Sequence, residues 1–323
     1  MKIILTGCAG FIGSRVCSIL IEQGHNVIGI DNLNEAYDIK LKEYRLNILK
    51  NLNNFEFHKT DIMDREGLLD IFEKNSDAYA VINLAAMAGV RASIQLPREY
   101  MNTNVIGTIN LLELCKTHRI DKFILASTSS LYGENKMPFK EDMNTDRTLS
   151  PYAASKKAAE NICYTYHILF DLDISVLRYF TVYGPASRPD MSPFRFIKWI
   201  AEDEDVIVFG DGNHERDFTF VDDIAEGTIL SLKKVGYEII NLGNDKPIKL
   251  KELIRQIEIK MNKNASIVNR TEQLADVNAT WADISKAKNL LNWVPKINIE
   301  EGISLSVDWY ENNRDFANSI RLH

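Results

Sequence analysis

Ile3-Ile-Leu-Thr-Gly7-Cys-Ala-Gly10-Phe-Ile-Gly13 sets three glycines between a short apolar run and a helical pattern that begins near Gly13. Without side chains the backbone can turn tightly and approach a pyrophosphate, and the helix N-terminus offers unpaired N–H groups and the positive end of a dipole. Strand, glycine loop and helix stand in the order that dinucleotide binding requires. The next strand-like run, Asn26 to Asp31, ends on a carboxylate at the spacing expected of a residue that accepts from the adenosine ribose. A carboxylate there repels a 2'-phosphate and so favours NAD over NADP. The same residue also fits a turn or capping aspartate ahead of Asn32.

Outward from this loop, short β-rich runs alternate with helical patterns: Ile3 to Thr6, Asn26 to Asp31, Glu56 to Thr60, Ala80 to Leu84, Lys122 to Ser127 and Asp173 to Tyr179. Such alternation implies right-handed βαβ units and a parallel sheet with helices on both faces, an α/β fold of the Rossmann-type, doubly wound kind. Asn104 to His118 reads as a crossover helix with Val105, Ile109 and Leu112 on one stripe. After Gly184-Pro185 the rhythm changes. Helices are expected at Ser192 to Glu202, Asp222 to Lys234 and Lys249 to Met261, with strands at Val206 to Phe209 and Glu238 to Leu242. We expect a cofactor domain over residues 1–178 with returning segments near 216–242, and a smaller interleaved α/β substrate lobe over most of 179–323. Asp61, at the end of the third strand, is placed near the adenine, and Asn83-Leu-Ala-Ala86 brings small residues toward the cofactor's phosphates and ribose.

The chain has 323 residues and a formal net charge of -7, which gives no reason to expect nucleic acid or an anionic membrane surface as a partner. No stretch approaches the length of a membrane span, and the N-terminal apolar run is too short for a secretion signal. The four cysteines, Cys8, Cys17, Cys115 and Cys163, form no framework and no metal-ligand spacing, so reduced thiols in a cytoplasmic protein without a metal are expected.

Pro151-Tyr-Ala-Ala-Ser-Lys156 carries the chemistry. An i, i+4 spacing puts the Tyr152 phenol and the Lys156 ammonium on one helix face, where a cation favours the phenolate and makes a base for alcohol oxidation. A solvated helix face has the same spacing, so the pair gains meaning only beside the glycine loop.

Taken together, the Thr6 to Gly13 loop, Asn83 to Ala86, Asn104, Thr128, Tyr152 with Lys156, Arg178 to Pro185, Gly210 to Asp223 and Asp276 resemble the extended short-chain dehydrogenase/reductase family, within it the nucleotide-sugar epimerases. The resemblance implies NAD held by Gly7, Gly10, Phe11, Ile12, Gly13, Asp31, Asn32, Asp61, Ile62, Leu84, Ala85, Ala86, Asn104, Tyr152 and Lys156. It implies that Tyr152 removes the sugar 4-hydroxyl proton, that Lys156 lowers the tyrosine pKa, and that Thr128 bonds the same hydroxyl. Related dehydratases place an Asp-Glu pair where this chain has Ser129 and Ser130, and related decarboxylases a glutamate at Ser130. Epimerisation at C4 of a UDP-sugar, in a homodimer paired through the helices near Asn104 to His118 and Tyr152 to Phe170, is the implied activity.

For the substrate, the resemblance assigns Arg216 and Arg270 to the diphosphate and Asp276 to the uridine ribose. Arg178-Tyr-Phe-Thr181 through Arg188-Pro-Asp-Met191, Asp31 to Asp38 and Ala88-Gly-Val-Arg91 resemble UDP-glucuronate 4-epimerases. Ser129, Ser130 and Thr181 would hold the C5 carboxylate with Arg188 nearby; alternatively, Arg188 pairs with Asp190. Asn83, Leu96, Ala186-Ser187 and Ala275 depart from that pattern. UDP-glucose and UDP-N-acetylglucosamine 4-epimerases remain open as alternatives, as do a decarboxylase and a non-enzymatic NAD sensor.

Overall fold

The computed structural model describes residues 1–271 and 279–322. Seven strands make one parallel sheet: β1 (Lys2–Thr6), β2 (Asn26–Ile30), β3 (Phe55–His58), β4 (Ala80–Asn83), β5 (Lys122–Thr128), β6 (Asp173–Tyr179) and β7 (Tyr237–Leu242). Across the sheet they run β7-β6-β5-β4-β1-β2-β3. Side chains alternate between two cores, as strand geometry requires. Ile3 and Leu5 pack on one face with Val16 and Ile224, whereas Ile4 points to the other with Leu68, Phe123 and Cys163.

Helices α1 (Phe11–Glu22), α2 (Ile39–Lys50), α3 (Arg65–Lys74), α4 (Gly107–His118) and α5 (Pro151–Phe170) cross between the first strands. The strand order reverses between β1 and β4, so the loops that follow them part and leave a crevice beyond the C-terminal ends of the strands. That crevice positions the site. Boundaries differ from the sequence expectation by a few residues at most: β3 ends at His58 rather than Thr60, and the helix expected to reach Lys234 runs Val221–Leu230.

One expected stripe is displaced. A π-helical turn over Asn102–Ile106 precedes α4, and the face turned inward carries Asn104, Thr108, Leu111, Leu112 and Cys115, while Val105 and Ile109 are half-buried. Two polar residues are buried here because both are bonded: Asn104 to Met87 and Ser155, and Thr108 to Asn83.

Past β6 the chain adds short pairs outside the main sheet. Thr181–Tyr183 lies parallel to Phe218–Phe220, Asp205–Phe209 parallel to Ser266–Arg270, and Glu215–Arg216 antiparallel to Ile248–Lys249. The C-terminal residues then return to α2. Tyr44 stacks on Phe316, Trp309 Nε1 donates to Tyr44 Oη, Lys198 Nζ donates to the carbonyls of Asn318 and Ile320, and Arg321 N donates to Asp38. Ile320 closes a small core with Tyr37, Leu41, Ala186 and Phe194. No helix among the described residues is long and apolar enough to cross a membrane. Cys8, Cys17, Cys115 and Cys163 are all buried and unpaired.

Candidate active site

A cleft of about 400 Å³ opens at the C-terminal edge of the sheet. Gly7, at a φ of 74°, turns the chain out of β1, and Gly10 N donates to Gly7 O at 3.0 Å to close the loop. The close approach is steric: a Cβ at Gly13 would sit 2.1 Å from Gly7 O, and one at Gly7 would sit 2.8 Å from Ala85 N. Gly10 caps α1 with no side-chain bond, so the first-turn N–H groups of Phe11, Ile12 and Gly13 face the cleft, as an anion site needs.

Asp31 takes the turn role that its position allowed, and it lies at the cleft. Its carboxylate accepts from Ala9 N at 3.1 Å and Leu33 N at 2.8 Å, which holds two loops, and the residue also lines the cleft. Lys42 Nζ lies 3.5 Å from Asp31 and donates to Asn34 at 2.9 Å. Sequence reading missed Lys42, because a lysine within a helix ordinarily points to water. Asn32 donates to Asp61 at 2.7 Å, and both line the cleft with Ile62, Leu84, Ala85 and Ala86. Asn83 stays behind them, bonded to Thr6 and Thr108. Asn104 is buried, with its amide bonded to Met87 and Ser155, and so braces the loop after β4 behind the cleft lining.

At the other end stand Thr128, Ser129, Ser130, Tyr152, Lys156, Thr181 and Arg188. α5 starts at Pro151 with Ser150 as its cap, which puts Tyr152 in the first turn and Lys156 one turn on. Burial raises the Tyr152 pKa, while the Thr128 hydroxyl and the charge of Arg188 draw it back down. The charge of Arg188 therefore reaches the phenol. Lys156 Nζ donates to Ala126 O at 2.9 Å, and burial pushes its pKa down to about 8 against the pull of Glu160. Tyr100, fully buried, meets Tyr152 edge-on at 6.0 Å and bonds the carbonyls of Ala88 and Gly89.

Arg188 is engaged: its Nε and Nη2 donate to Asp190 at 3.0 and 2.6 Å, and it lies over the Tyr37 ring at 5.7 Å. The Asp190 pairing weighed from the sequence is therefore present, at the cleft wall. Arg216 donates to Glu215 O at 2.9 Å, and Arg270 is exposed at the end of its strand in register with Phe209. Neither is among the residues that line this cleft. Asp276 and Ala275 lie outside the described residues. Tyr37, Lys42 and Tyr100 are the additions that the structure makes; of these only Tyr37 fell within a stretch singled out from sequence.

The pattern that describes the NAD dependent epimerase/dehydratase family matches residues 3–243. The chain is 55% identical, over 99% of both proteins, to the UDP-glucuronate 4-epimerase of Thermodesulfobacterium geofontis (strain OPF15). It superposes with a TM-score of 0.91 and 37% identity on the UDP-glucuronic acid 4-epimerase of Bacillus cereus, solved in complex with UDP-glucuronic acid and NAD, covering 97% of this chain and 99% of that one. For the UDP-glucose 4-epimerase of Thermotoga maritima, solved with UDP-glucose, the TM-score is 0.89 at 32% identity, covering 97% of this chain and 100% of that one. Glycine loop, crevice and match over most of its length agree: the chain belongs to the NAD dependent epimerase/dehydratase family.

Proposed function

We propose that the protein interconverts UDP-glucuronate and UDP-galacturonate by NAD-dependent epimerisation at C4. The observation that carries this reading is one cleft with a glycine cradle and uncapped helix at one end and Tyr152, Thr128, Ser129, Ser130 and Thr181 at the other. The residues fit the cofactor. A pyrophosphate finds N–H groups where any Cβ at Gly7 or Gly13 would clash, and Asp31 stands where a ribose diol needs an acceptor. NAD, when bound, accepts a hydride from C4 of the sugar and returns it to the opposite face of the ketone.

Tyr152 Oη takes the C4 hydroxyl proton and gives it back. Thr128 holds the phenol by its hydroxyl, and Arg188 favours the phenolate by charge. Lys156, anchored on Ala126 O, would hold the nicotinamide ribose through its ammonium. Ser129, Ser130 and Thr181 supply hydroxyls and no acid, which suits holding a C5 carboxylate without assisting water elimination. Residues 1–178 with β7 form the cofactor domain on this reading, and most of 179–323 the lobe that receives the UDP-sugar. Exposed apolar side chains on α5, including Ile168 at 60% and Leu169 at 65%, support pairing with a second copy in which this helix takes part. Four buried free thiols suit a reducing compartment, which supports a cytoplasmic site.

The test is NMR of the sugar protons after mixing the purified protein with UDP-glucuronate, and separately with UDP-glucose and UDP-N-acetylglucosamine. Conversion of the uronate to UDP-galacturonate, with turnover of the neutral sugars slower by about a hundredfold or more, is expected. Preferred turnover of UDP-glucose would overturn the substrate. Tyr152→Phe should lose activity by at least about a thousandfold with NAD still bound.

A further inference from the structure

Arg45 is buried on the inner face of α2, and its hydrogen bonds among the described residues all go to neutral oxygens. Nε and Nη2 both donate to Ala186 O, at 3.1 and 2.7 Å, while Nη1 donates to Ala9 O at 3.2 Å and to Tyr37 Oη at 2.8 Å. A buried cation adds little to stability on such terms, since a well-packed apolar side chain of similar volume avoids the cost of desolvating the charge. What an apolar chain lacks is the rigid planar fork, with donors pointing several ways at once. Here the fork joins three segments distant in sequence: the glycine loop, the stretch after β2 and the turn past Gly184-Pro185.

Two of these contacts lead to Arg188. Ala186, two residues before it, holds a φ of 52°, a left-handed conformation that a residue with a side chain keeps only where its surroundings impose it. The buried Tyr37 ring has the Arg45 guanidinium over it at 5.6 Å and that of Arg188 at 5.7 Å, with Lys42 Nζ at 5.6 Å. Asp190 offsets the charge of Arg188, and Asp31 lies beside Lys42. The third contact, Ala9 O, belongs to the glycine loop, where Ala9 N donates to Asp31. Tyr37 and Arg188 line the cleft, and Arg45 stands behind them. We propose that Arg45 is a positioning residue: it sets Arg188 against the Tyr152 phenol and ties that placement to the glycine loop. The role rests on the function proposed above, in which Tyr152 is the base. Around the phenol stand Thr128, Tyr100 and Arg188, with Lys156 one turn on along α5. Of these, Arg188 is the one held by Tyr37 and the Ala186 turn.

The test uses the full chain loaded with NAD. Ionisation of Tyr152 is read by ultraviolet difference titration, each variant against the same variant carrying Tyr152→Phe. Arg45→Lys keeps the charge without the fork, so that a shift reports placement, and Arg45→Met removes both. Each should raise the pH at which Tyr152 ionises by about half a unit or more, because Arg188 no longer stands where it favours the phenolate. In an Arg188→Met background, Arg45→Lys should add less than about 0.2 unit, since its effect passes through Arg188. Should Arg45→Met fail to fold, Arg45→Lys carries the same comparison. A lower melting temperature with the Tyr152 titration unmoved marks a residue that only holds the fold and overturns the proposal, as does an equal shift with and without Arg188. Wild-type turnover of UDP-glucuronate is measured alongside. A shifted titration in Arg45→Lys without conversion by the wild type overturns the proposed function and leaves the positioning role standing, whereas conversion with an unmoved titration does the reverse.

Discussion

At Lys156, burial and charge pull in opposite directions, and the balance sets a pH window. Its pKa falls from an ordinary 10.5 to about 8 because the ammonium is desolvated, with Glu160 opposing. Between those two values the unfolded chain keeps the proton that the folded chain has lost, so this group adds stability as pH rises through the window. Function runs the other way, since the ammonium is the useful form. Activity of the protein should fall as pH rises through about 8, and the alkaline limb should move upward in the residual activity of Lys156→Arg; a pH–rate profile of both checks this. Thr181 and Ser130 pose a second residue-scale question. Oxidation at C4 of a uronate gives a β-keto acid, which readily loses carbon dioxide unless its carboxylate is kept out of line with the ketone. Replacing both residues with alanine should raise the UDP-pentose by-product several-fold, measured by chromatography of the products.

Among the elements, the loop joining β1 to α1 tolerates least. Gly13→Ala puts a methyl group 2.1 Å from Gly7 O, so the loop must open; loss of co-purifying NAD by absorbance, with a lower melting temperature, is the expected result. α5 and β6 are joined by a different device. Arg178 and Glu160, each 1% exposed, pair at 2.7 Å beneath Lys156, and Ser127 also donates to Glu160. Glu160→Ala leaves a buried guanidinium unpaired and should cost about 3–5 kcal/mol in chemical denaturation. The strands β1 and β4 were legible because strands buried on both faces are written as near-continuous apolar runs. α4 was legible as a helix but not in its phase. The π-helical turn before it rotates Asn104 and Thr108 inward, and their hydrogen bonds, not their hydropathy, make them interior residues. α2 has the same difficulty in stronger form, because Lys42 and Arg45 on its inner face are buried cations whose partners lie in distant loops.

For the whole molecule, the exposed apolar side chains of α5 make the proposed pairing a measurable property. Leu169→Glu with Ile168→Lys should convert a dimer to a monomer in sedimentation, with the fold intact by circular dichroism. The resemblance names Arg216 and Arg270 for the diphosphate, but their place was not legible in the sequence, because both sit on short strand pairs outside the main sheet. The return of the C-terminus to α2 bears on how the protein is made. Leu41 and Tyr44 emerge from the ribosome long before the residues that cover them, Trp309, Phe316 and Ile320. Until those residues are made, the segment from Asn32 to Arg45 that walls one end of the cleft has an open flank. A nascent chain that stops short of them therefore presents unsatisfied apolar surface to chaperones and proteases.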